Sequence, residues 1–78
     1  MTPKQQKTYD NLGKKEKILW LDYDLDHLEM QRTILVDAIK NGNWEGMSDN
    51  LKVRKQNLIE LNKKILNVIH TKNSLILS

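Results

Sequence analysis

The 78-residue sequence predicts an all-α protein. The expected architecture is an antiparallel helical hairpin with a short N-terminal helix, dimerising into a four-helix bundle. Three observations predict it. Apolar residues recur in steps of three and four over two long segments, which is the spacing of one helix face and not the alternation of a strand. A short stretch rich in Gly and Asn joins the two segments and suits the end of one helix and a reversal of the chain. Each segment exceeds twenty residues, or more than ~30 Å of helix, so the two can lie side by side along their length.

Residues 1–14 form a basic N-terminal segment or short helix. Thr2 followed by Pro3 reads as an N-cap with Pro at the first helical position, and a helix near 3–12 would stop or bend at Gly13. The hairpin spans 15–78. Its first helix, 15–41, carries Ile18, Leu21, Leu25, Leu28, Leu35 and Ile39 on one face, with Arg32 interrupting the row. The turn covers 42–48, where Gly and Asn tolerate a left-handed cap. The second helix, 49–76, carries Leu51, Leu58, Leu61, Ile65, Val68 or Ile69, Leu75 and Ile76, with Ser48 or Asp49 available as its cap.

Charge is segregated between the two helices. Ile18 to Ile39 holds five acidic residues against Arg32, a net −4; Asn50 to Ser78 holds six basic residues against Glu60, a net +5. An acidic helix beside a basic one favours antiparallel pairing, although each exposed pair contributes only ~0–1 kcal/mol. Arg32 must pair or extend its head to water, because an unpaired buried guanidinium is too costly. A turn centred near residue 45 puts it about level with Leu58 and within a turn of Glu60.

The first helix carries a second apolar stripe. At 100° per residue, Trp20, Tyr23, His27, Met30, Ile34 and Ala38 fall in a sector roughly opposite the hairpin face. A helix apolar on two sides is usually buried on two sides. Trp20, Tyr23, Met30 and Ile34 are therefore the candidate partner-binding residues. Their cover would be residues 1–14, a second copy of the chain or another helical protein. Aromatic and Met side chains are enriched at interface centres, which points to a protein partner in a homodimer or heterodimer.

Other chemistries find less support. Without Cys there is no disulfide, thiolate metal site or thiol catalysis. Asp22 to Thr33 fails as an EF-hand loop, since His27 and Thr33 stand where Gly and Glu are needed. Asp24 and His27 lack facing carboxylates for a helical metal site. No Gly-rich phosphate loop or catalytic constellation can be assembled, so neither an enzyme nor a cofactor is expected. The formal charge of +3 leaves a small basic DNA- or RNA-associated regulator as the alternative, with Lys52, Lys55, Lys63 and Lys64 as phosphate contacts. No apolar run is long enough for a membrane span, and the polar N-terminus does not read as a signal peptide. A cytoplasmic protein, or one exported without a cleavable signal peptide, is the expectation.

The turn contains Asn43-Trp44-Glu45-Gly46. Trp-x-Gly in the turn of a helical hairpin, some forty residues from the N-terminus, resembles the WXG family of small type VII secretion proteins. The resemblance rests on Trp44 and Gly46, the two-helix layout and the length before the turn. It implies hairpins that pair into four-helix bundles, with the Trp packed over the hairpin end and the Gly permitting the reversal. The aromatic-x-x-x-acid signal of many members is absent here: His70 is followed four residues later by Ser74.

Overall fold

The computed structural model describes residues 2–78, which form three helices and, among the described residues, no strand. Helix α1 is Pro3–Asp10, α2 is Lys14–Asn41 and α3 is Ser48–Leu77. Each begins where local chemistry starts it. Thr2 closes a capping box on α1: its hydroxyl accepts from the Gln5 backbone N–H, and the Gln5 side chain accepts from the Thr2 N–H. Pro3 fills the first turn, where its missing N–H costs nothing. Gly13, in extended backbone, separates α1 from α2 as the sequence suggests.

The link between α2 and α3 departs from expectation in two places. The residue that follows α2 is Gly42, but its φ of −74° is extended and not left-handed. The left-handed residue is Gly46, with φ +72°, in the tight turn Trp44–Met47. That turn is closed by a 2.9 Å bond from the Met47 N–H to the Trp44 carbonyl. Gly46 occupies its third position, where a positive φ calls for Gly. The chain enters α3 directly from this turn, so Met47 stands at the cap and Ser48 is already helical. Neither Ser48 nor Asp49 caps the helix by a side-chain bond. Asp49 instead places a negative charge in the first turn, where the helix dipole favours it.

Helices α2 and α3 pack along one another in opposite directions. Lys14 Nζ donates to the Ser78 carbonyl at 2.6 Å, Lys72 pairs with Asp22, and Arg32 Nη1 donates to Asn62 Oδ1 at 3.4 Å. The sequence register was off by about one turn: Arg32 lies opposite Asn62, not Leu58. Counted back from that pair, the first turn of α3 extends past the end of α2 and runs beside the link. Trp44 occupies that end.

The core is thin. Among the described residues Leu21 and Ile65 are the two buried apolar ones, 5% and 3% exposed, and the remaining residues of the facing rows are half-buried or exposed. The molecule measures 50 × 24 × 14 Å, a slab one helix thick. Its radius of gyration is 15.9 Å, against ~11.5 Å for a compact chain of this length. Stable domains pack at least two layers, and here only α1, among the described residues, lies against α2 on the side away from α3.

Candidate docking face on helix α2

The outer side of α2 is built by a second three–four spacing: Trp20, Tyr23, His27, Met30 and Ile34. This is the spacing that coiled-coil seams use, set well over a quarter turn of the wheel from the row that meets α3. Tyr23 is 84% exposed, Ile34 64% and Met30 63%. Leu19, four residues before Tyr23, extends the patch and is 57% exposed. The sequence reading missed Leu19, and its i, i+4 spacing to Tyr23 was the signal that could have found it.

Helix α1 covers one end of this face. Tyr9 packs edge-on against Trp20, with ring centroids 6.4 Å apart and planes at 62°. The Lys17 ammonium lies 5.3 Å from the Tyr9 ring centroid. Trp20 is half-buried as a result. Partial burial, and then the neighbouring Asp10 carboxylate, hold the Tyr9 phenol above its ordinary pKa. Cover by residues 2–14 therefore reaches Trp20 and leaves Tyr23, Met30 and Ile34 open.

Between α1 and α2 runs an open groove of about 650 Å³, lined by Gln5, Leu12, Glu16, Leu19, Trp20, Tyr23, Asp24 and His27. Its floor is apolar and its rim carries Glu16 and Asp24. Gln31 Nε2 donates to His27 Nε2 at 3.2 Å, which fixes the imidazole along the helix. Beyond His27 the groove gives way to a bare ridge of Met30, Ile34 and Ala38, all exposed.

The turn residues form a separate, local structure. Trp44 Nε1 donates to the Ile39 carbonyl at 3.1 Å, satisfying one of the free carbonyls at the end of α2. Its indole packs beside Gly42, where an added Cβ would stand 2.8 Å from Nε1 and 2.5 Å from the Ala38 carbonyl. A hollow of about 580 Å³ opens beside it toward Asn50 and Asn57. The lysines of the alternative reading are exposed: Lys52, Lys55 and Lys63 share one side of α3, Lys64 projects opposite Lys55, and Lys63 lies 3.7 Å from Glu60. Among the described residues no three His, Asp or Glu side chains converge as a metal site, and no helix is long and apolar enough to cross a membrane.

No protein-family model, curated protein or solved structure matches the chain.

Proposed function

We propose that this protein is a non-enzymatic protein–protein interaction module: a small helical hairpin that docks through the outer face of α2 and completes a four-helix bundle with its partner. The observation that carries the reading is the exposure of Tyr23, Met30 and Ile34 on a helix whose other side already packs on α3. Contiguous apolar patches of a few hundred Å² on soluble chains mark interaction surfaces. The resemblance to the WXG secretion proteins gives this reading its sharpest form, in which Trp44 and Gly46 shape the end of the hairpin and the outer face pairs.

The test is sedimentation of the wild type beside the double variant Trp20→Ala, Ile34→Asp. The wild type is expected to exceed 9.2 kDa and the variant to fall back to it with its helix content kept. A wild type that stays at the mass of one chain, with Trp20 emission already that of a buried indole, would remove the main support. The competing nucleic-acid reading is separated by a retardation assay across a salt series. Tight binding with a steep salt slope would favour phosphate contacts over protein docking.

A further inference from the structure

We infer that the occupant of this face is a second copy of the chain, docked antiparallel about a two-fold axis that crosses α2 between Leu28 and Glu29. The inference rests on the reading of the face as a docking surface and adds its occupant and register.

Shape supplies the first argument. The face has two unlike halves: the groove between α1 and α2, which ends at His27, and the bare ridge from Met30 to Ala38. An isologous contact must be complementary to itself. A parallel pairing sets groove against groove and ridge against ridge. An antiparallel pairing lays each ridge in the other copy's groove. Ala38, the chain's sole alanine, then comes level with Leu19 and Asp37 with Trp20, beside the Tyr9 contact of α1.

The seam fixes the register. In an antiparallel coiled coil the two kinds of seam position alternate across each layer. Centred between Leu28 and Glu29, Tyr23 meets the second copy's Ile34 and His27 meets its Met30, twice each by symmetry. Every exposed apolar side chain from Tyr23 to Ile34 on the seam is covered.

Charge agrees with that register. Along the edges of the seam, Asp26 comes opposite Thr33 and Asp24 opposite Gln31, so no carboxylate faces another. Lys40 of one copy reaches the level of Glu16 of the other, and neither has an ion-pair partner among the described residues. In a parallel pairing the two copies of Asp24, like those of Asp26, would lie on opposite sides of the seam, so charge is compatible with the antiparallel register and the shape of the face decides the orientation.

Area agrees as well. A compact monomer of this mass exposes ~4,900 Å², whereas this chain exposes 6248 Å². The excess, about 1,300 Å², is more than the ~800 Å² per partner that a standard specific interface buries.

The test uses the absence of native cysteine. Asp26→Cys and Thr33→Cys each place one thiol on the polar edge of the seam. The two variants are mixed in equal amounts, treated with a short bismaleimide, and compared with each variant alone. The mixture is expected to give a 26–33 cross-link several-fold above the self-links of either. Self-links in both single variants, with none added by mixing, would overturn the antiparallel register while leaving the docking face. Association of the wild type that survives Ile34→Asp would overturn the face itself. A wild type monomeric at sub-millimolar concentration would overturn the second copy as occupant. Ile34 is exposed in the single chain, so Ile34→Asp should keep its helix content by circular dichroism, and loss of association then reports docking and not folding.

Discussion

Arg32 of α2 donates from Nη1 to the side-chain oxygen of Asn62 on α3 at 3.4 Å, a long bond from a charged group to a neutral one. Glu60, which the sequence puts within a turn of Arg32 but on the polar side of α3, accepts from Gln56 at 3.2 Å and lies 3.7 Å from Lys63. The guanidinium thus sits half-buried in the apolar row with an amide as its partner. Its stem packs between the helices while its head stays close to water.

Arg32→Leu should therefore stabilise the chain, by about 1 kcal/mol, since it completes the apolar row and gives up one weak bond. Thermal melts of both proteins check this. Unchanged sedimentation would show that Arg32 has no role in partner choice. A loss of stability would mean that the Arg32–Asn62 bond outweighs the packing gained.

Gly42 and Gly46 should respond differently to alanine. At Gly42 the new Cβ meets the backbone carbonyl of Ala38 and the Trp44 indole, so the link must shift, at a cost of ~1–3 kcal/mol. At Gly46 nothing lies within 4 Å, so only the positive φ of 72° opposes the substitution, by ~1–2 kcal/mol. Gly46→Asn should recover part of that loss, because Asn visits the left-handed region; Gly42→Asn should recover none. Urea midpoints of the four variants are the measurement.

Leu21 and Ile65 are the buried apolar pair, so Leu21→Ala or Ile65→Ala should cost ~2–5 kcal/mol. In a chain with so thin a core, that is enough to lose the cooperative melt. Lys72→Met at the Asp22 pair should cost under ~1 kcal/mol and matter less in high salt, because both side chains are part-exposed. Equal losses at the two kinds of site would contradict the placement of the core.

The raised pKa of Tyr9 carries a pH dependence. A phenol whose folded pKa lies above its unfolded value binds its proton more tightly when α1 is docked. The docked state is favoured in full below the unfolded value of ~10, and that contribution is lost as pH rises through the folded value. Trp20 emission in a Trp44→Phe background should change in that alkaline window. Tyr9→Phe should abolish the change while keeping the ring contact. A change that persists in Tyr9→Phe would assign it to another group.

Much of the chain's local structure was legible in its sequence. The three–four spacing and the length of each run specified two long helices, because burial on one face needs that period. Thr2-Pro3 and Gly13 marked a short separate helix, because a cap, a missing N–H and a backbone break act over a few residues. The second stripe on α2 was equally legible, since it depends only on angle around one helix.

Tertiary structure decided the rest. The α2–α3 register, with Arg32 at Asn62, depends on how the link is folded, and one helical turn of stagger leaves the hydrophobic pattern almost unchanged. Trp44 ties the link to the end of α2 by bonding the Ile39 carbonyl and packing beside Gly42, a contact made possible by the absence of a side chain. The reach of α1 was also decided in three dimensions. Tyr9 meets Trp20, but an eight-residue helix is too short to continue along α2, so Tyr23, Met30 and Ile34 stay in water. Sequence determined which residues form the outer face; packing determined how much of it was left uncovered, because cover depends on the length and path of the neighbouring segment and not on the face itself.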